Sequence, residues 1–117
     1  MNTISWFDLP VLDLQRAMAF YSTLLETDIT EEFPGVAVFS HTENDVSGCL
    51  CLSTEHQPSR DGALLYFNVA GRLDSAVALV EDLGGQIEQA AHDIGPFGRR
   101  AIVLDSEGNR IALYSAQ

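Results

Sequence analysis

The sequence predicts an α+β fold of two tandem βαβββ modules, residues 1–60 and 61–117, whose sheets curve around an open cup. Three observations lead there. Short alternating segments and amphipathic segments follow one another in the order βαβββ, and the same order then repeats. The two amphipathic segments also match in spacing: Leu14, Ala17, Phe20, Tyr21 and Leu24 recur as Leu73, Ala76, Leu79, Val80 and Leu83. Finally, 117 residues at 46% apolar content suit one domain with one core. Half of that length could not cover its own sheet, so the halves are expected to pack together, within one chain or between chains.

Each element has a local cause. In segment 4–11, Trp6 and Asp8 alternate with Phe7 and Leu9, as on a strand, and Pro10 near its end suits an edge or terminal position. Asp13 has the chemistry of a helix N-cap for a helix over 14–25. Strands are expected at 28–32, 36–41 and 47–53, with turns at Pro34-Gly35 and Glu43-Asn44-Asp45. The polar stretch 54–62 joins the halves. The second cycle has a strand at 63–69, a helix at 73–83 closed by Gly84-Gly85, and strands at 86–91, 99–105 and 110–115. A tight turn, Ser106-Glu107-Gly108-Asn109, joins the last two, with Gly108 at its positive-φ position.

Composition removes several classes of function. The formal net charge is −11, carried against six arginines and no lysine. Phosphate backbones and anionic membranes repel such a chain, so neither nucleic acid nor membrane is an expected partner. Without lysine there is no Schiff-base nucleophile and no phosphate-gripping lysine. No apolar run is long enough to span a bilayer, and the first residues lack the pattern of a signal peptide, so a cytoplasmic protein is expected. Cys49 and Cys51, two apart on one strand, are poorly placed to bond to each other, which fits a reducing compartment.

Alternation divides each strand into a helix-facing set and an open set. Phe7, Leu9, Val11, Leu50, Leu52, Leu65, Phe67, Val69, Ile111 and Leu113 are expected against the helices. The open set then contains Trp6, Asp8, Cys49, Cys51, Ser53, Tyr66, Asn68, Arg110 and Tyr114. Aromatic walls with a few polar groups are the usual lining of a small-molecule pocket. The loop 93–100 holds Phe97, a stacking surface, and Arg100, a guanidinium for an anionic ligand. The ligand-pocket candidates are therefore Trp6, Asp8, Cys49, Cys51, Tyr66, Asn68, Phe97, Arg100 and Tyr114. Phe97 and Arg100 would close over the cup.

The stretch Trp6-Phe7-Asp8-Leu9-Pro10-Val11-x-Asp13-Leu14-x-Arg16-Ala17-x-x-Phe20-Tyr21 resembles the opening of a vicinal-oxygen-chelate domain, the glyoxalase/bleomycin-resistance/extradiol-dioxygenase group. Asp105-x-Glu107-Gly108-Asn109-Arg110-Ile111-x-Leu113 resembles its closing hairpin, and Tyr66-Phe67-x-Val69 and Leu83-Gly84-Gly85 fit between. The resemblance covers essentially the whole chain and is nearest to short proteins related to lactoylglutathione lyase. It implies a glyoxalase-like curved sheet and two-fold association into a homodimer.

Catalytic members of that group hold a divalent metal with one ligand from each of four strands, usually two His and a closing Glu. By position those ligands would fall on Trp6, on Cys49 or Cys51, on Leu64 or Tyr66, and on Ala112. Indole, isobutyl and methyl groups bind no cation, and a site needs about three good donors. No metal and no other cofactor is therefore expected, and lactoylglutathione lyase activity is not expected either. His41, His56 and His92 show no shared helix or strand spacing and read as strand-end, linker and loop residues. No nucleophile elbow or Ser/His/Asp set is visible. Catalytic residues are not identified. The expectation is a protein that binds a small organic molecule. The alternatives are a metal-dependent lyase or dioxygenase with a shifted ligand set, a cofactor-free isomerase using a thiol or Asp8, and a non-catalytic interaction domain.

Overall fold

The computed structural model describes residues 2–116. The chain divides after Pro58 into two compact units, each with one helix and one four-stranded mixed sheet. The first contains β1 (Trp6–Val11), α1 (Leu14–Leu25), β2 (Ile29–Phe33), β3 (Val36–Phe39) and β4 (Ser47–Leu52). The second contains β5 (Leu65–Asn68), α2 (Leu73–Leu79), β6 (Gln86–Asp93), a single 3-10 turn at Gly95–Phe97, β7 (Arg99–Leu104) and β8 (Arg110–Ser115). The strand orders are β1-β4-β3-β2 and β5-β8-β7-β6, so the βαβββ repeat read from the sequence is present in the topology. Each sheet is open, with two edge strands.

In each unit the first and last strands pair in parallel, joined through the helix, and the remaining pairs are antiparallel. Register places Asp8 opposite Cys49 in one sheet and Tyr66 opposite Ala112 in the other. Pro10 lies on β1, which pairs only with β4 in its sheet, so its missing N–H disrupts no second ladder.

Asp13 caps α1: its carboxylate accepts from the Arg16 backbone N–H at 3.0 Å. The helix buries Leu14, Ala17, Phe20, Tyr21 and Leu24, the stripe expected from spacing. Tyr21 meets Phe20 and Phe39 edge-on, with ring centroids 5.0 and 5.7 Å apart, and Phe7 lies 5.8 Å from Phe39. Burial of side chains such as Phe20 and Leu24 stabilises by about 1.5–3 kcal/mol each. Phe7 reaches this core because Gly48 faces it: a Cβ at Gly48 would sit 2.5 Å from the Phe7 carbonyl oxygen.

The second core is built from Val69, Leu73, Ala76, Val80, Ala101, Val103, Ile111 and Leu113. Its last turn is closed by Asp105, whose Oδ1 accepts from the backbone N–H groups of Glu107 (2.8 Å) and Asn109 (2.9 Å). Gly108 has φ +97°, as the turn requires.

The structure corrects several expected boundaries. Regular α-helix in α2 ends at Leu79, and tighter turns carry the chain to Gly84, where φ is +98°. β6 runs two residues past its expected end because Asp93 and His92 still pair with Arg99 and Arg100. Leu52, expected against α1, is 49% exposed, since it lies at the end of β4 beyond the helix-covered part of the sheet.

Candidate functional site

On the first sheet, Trp6, Asp8, Cys49 and Cys51 share the face away from α1, as alternation requires. They form one hydrogen-bonded group. Asp8 Oδ1 accepts from the indole Nε1–H of Trp6 at 3.1 Å and from the thiol of Cys49 at 3.2 Å. The Cys51 thiol points to the Leu9 carbonyl at 3.7 Å. His41 joins the group: its ring stands edge-on to Trp6 at 5.7 Å, and its Nδ1 lies 3.0 Å from the Phe39 carbonyl. A carbonyl only accepts, so that nitrogen carries the proton.

Both cysteines are free thiols. Cys49 is only 5% exposed. Burial pushes its pKa up to about 12, reinforced by the hydrogen bond to Asp8 and by the carboxylate's negative charge. Cys51 is also raised, first by burial and then by Asp8. These thiols are protonated donors at neutral pH, which is the opposite of an activated nucleophile. Ser53 lies past the strand, where its hydroxyl accepts from the backbone N–H groups of Glu55 and His56.

On the second sheet the face away from α2 carries a different group. Arg100 on β7 lies opposite Tyr114 on β8 and opposite His92 on β6. Its Nε–H donates to His92 Nε2 at 3.1 Å, and its Nη1–H donates to the Tyr66 hydroxyl. The guanidinium carbon lies 5.9 Å from the centroid of the Tyr66 ring, at its hydroxyl end. His92 Nδ1 lies 2.8 Å from the Ala90 carbonyl. That contact places the histidine proton on Nδ1 and leaves Nε2 as the acceptor Arg100 uses. Tyr66 and Tyr114 meet edge-on at 5.9 Å.

The Tyr114 hydroxyl donates to the Phe97 carbonyl and so ties the 3-10 turn to β8. Phe97 itself is 71% exposed. The turn returns to β7 through Gly98, whose φ is +107° and whose missing side chain lets the Ser115 carbonyl approach.

Asn68 lies on the same face of β5 as Tyr66. Its side-chain oxygen accepts from the Ala70 backbone N–H at 2.9 Å and shapes the bend after β5. Arg110 is matched by Glu88 at 2.9 Å, and Arg60 pairs with the same carboxylate. His92, expected in a loop, belongs to β6. It and Glu88 are the residues that sequence reasoning missed as members of this face. Two irregularities in the β6–β7 register hide both from a simple period of two.

The register relates to one another the residues at the metal positions that the resemblance implies. Cys49 is to Asp8 what Ala112 is to Tyr66, and Trp6 precedes Asp8 by two as Leu64 precedes Tyr66. With Trp6 and Ala112 taken from the resemblance, the equivalent positions in the other half are Leu64 and Cys49. One of the four, the Cys49 thiol, offers a donor atom, and a single donor does not hold a divalent ion. Among the described residues no group of three or more His, Cys, Asp and Glu side chains is arranged to hold a metal.

The chain belongs to the glyoxalase/bleomycin resistance protein/dioxygenase superfamily, whose family model matches residues 3–113. Solved structures agree on the fold. A glyoxalase-related enzyme from Fulvimarina pelagi superposes with a TM-score of 0.79 at 16% identity, covering 98% of this chain and 88% of that one. TnmS3, an antibiotic-binding protein from Streptomyces sp. CB03234, gives 0.70 at 23% identity, covering 98% and 96%. A lactoylglutathione lyase from Agrobacterium tumefaciens gives 0.67 at 17% identity, covering 98% and 94%. No curated protein matches the sequence. No helix among the described residues is long and apolar enough to cross a membrane.

Proposed function

We propose that this protein binds a small organic molecule on an open sheet face and does so without the divalent metal of its catalytic relatives. The observation that carries this reading is the donor set: Trp6, Leu64 and Ala112 stand at three of the four metal positions, and the thiol of Cys49 stands at the fourth. Aromatic and polar groups occupy the same faces instead. Trp6 and Tyr66 are 41% and 47% exposed, enough to stack on a ligand. The antibiotic-binding neighbour TnmS3 supports the use of this fold as a binding protein. The free thiols and acidic charge accord with a cytoplasmic setting, and we expect the chain to pair with a second copy of itself.

The test uses purified, untagged protein. Metal analysis is expected to find no stoichiometric Zn, Ni, Mn or Fe, before or after incubation with each ion. Trp6 is the only tryptophan, so its fluorescence reports on the open face of the first sheet. A screen of thiol conjugates, catechols and other small aromatic compounds is expected to yield ligands that change this signal or raise the melting temperature in the presence of EDTA. Retention of one equivalent of metal, or ligand binding abolished by EDTA, overturns the reading in favour of a metal-dependent lyase or dioxygenase. A screen with no hits favours an interaction domain.

A further inference from the structure

We propose that the Arg100 group on the second sheet receives the carboxylate of a small aromatic acid, an inference that rests on the small-molecule reading and narrows it. The chain carries 17 carboxylate side chains against six arginines, so an arginine would ordinarily find an acidic partner. Arg99 meets Asp93 at 3.4 Å and Asp74 at 3.7 Å, while Arg60 and Arg110 share Glu88. Arg100 is bonded only to neutral groups among the described residues: the imidazole of His92 and the hydroxyl of Tyr66. No carboxylate among the described residues is paired with it within 4.0 Å.

A guanidinium has five N–H groups in one plane. Arg100 uses one on Nε and one on Nη1, which leaves one on Nη1 and both on Nη2. That remaining pair of nitrogens has the fork geometry that takes both oxygens of a carboxylate. The two bonds already made hold the fork in place, so little rotamer freedom is left to lose on binding. His92 is a positioning residue here: its Nδ1–H is committed to the Ala90 carbonyl, and that fixes Nε2 as an acceptor toward Arg100.

The organic part follows from the neighbours. The half-exposed Tyr66 ring meets the guanidinium through its hydroxyl, with its centroid 5.9 Å from Cζ, and the hydroxyl keeps its own proton to donate. Tyr114 stands edge-on beside it. A flat ring carrying a carboxylate can stack on Tyr66 while its acid group reaches Nη1 and Nη2. An aliphatic cation would meet the Arg100 charge and be repelled.

The experiment compares 2-naphthoate with 2-naphthamide, its uncharged analogue, by NMR titration of the 15N-labelled full chain, following the Arg100 Nε–H resonance. Naphthoate is expected to shift that resonance and to bind at least tenfold more tightly than the amide. In Arg100→Gln the preference is expected to vanish, and in Arg100→Lys to be intermediate. Arg99→Gln, whose partners are acidic, is expected to leave it intact. Equal binding of acid and amide, or a preference that survives Arg100→Gln, overturns the aromatic-acid assignment while leaving the small-molecule reading in place. If neither compound binds, the assignment fails, and the broader screen described above decides the small-molecule reading separately.

Discussion

Carrying the protein from pH 8 to pH 11 loads the first sheet at its two raised thiols, and most strongly at Cys49. In the unfolded chain that thiol ionises around its ordinary pKa of 9.0, whereas burial and Asp8 hold it at about 12 in the fold. Below pH 9 both states carry the proton, and the contribution to stability is fully present. As pH rises further the unfolded chain sheds the proton and the folded chain keeps it, so stability is progressively lost until the folded thiol ionises as well. At 1.36 kcal/mol per pH unit, the whole window between 9 and 12 amounts to about 4 kcal/mol, and most of that is lost by pH 11. The total stability of a domain is only about 5–15 kcal/mol, so such a change is measurable.

The assay is urea unfolding of the native protein and of Cys49→Ala, since the variant lacks this titration. The stability gap between them is expected to move against the native protein by about 2–3 kcal/mol from pH 8 to pH 11. In parallel, mass-mapped alkylation of the folded protein at pH 9 should leave Cys49 unmodified on a timescale that fully labels the unfolded chain. Parallel stability curves, or native Cys49 alkylated with a midpoint near pH 9, would refute the placement of this thiol as a buried donor to Asp8.

Two further outcomes follow from backbone geometry. Gly98→Ala places a Cβ 2.5 Å from the Ser115 carbonyl oxygen at φ +107°, with backbone atoms rather than a flexible side chain in the way. We expect a loss of about 1–3 kcal/mol from strain alone, read as a lower melting temperature, together with displacement of the Phe97 turn; an unchanged melting temperature contradicts it. Asp105→Ala strips acceptors from two backbone N–H groups and from the Asn109 side-chain amide, which bonds Oδ2 at 3.1 Å, all in a buried turn. At about 1–3 kcal/mol for a buried group left unpaired, urea unfolding should register at least about 3 kcal/mol, and a loss below about 1 kcal/mol would mean that water or another group replaces the carboxylate.

What the sequence determined by itself was whatever depends on neighbours along the chain. The stripe Leu14, Ala17, Phe20, Tyr21 and Leu24, the Asp13 cap and the Gly108 turn are set by periodicity and by the conformational limits of single residues. Those are local causes, and they were legible in order, along with the family resemblance that the family model bears out. The membership of Trp6, Asp8, Cys49 and Cys51 in one face also follows from alternation.

Tertiary structure alone decided what those faces contain chemically. Arg99 and Arg100 are adjacent and identical in type, yet one is neutralised by Asp93 and Asp74, and the other meets only Tyr66 and His92. Asn68 also has a local task that alternation does not record, since its side-chain oxygen accepts from the Ala70 backbone N–H at the bend after β5. Cys49 looked like one of two equivalent thiols and is the one buried against a carboxylate. The reason is register. A side chain's partner across a sheet is set by which residue of a distant strand lies opposite, and the irregularities in β6 shift that pairing in a way no local pattern records.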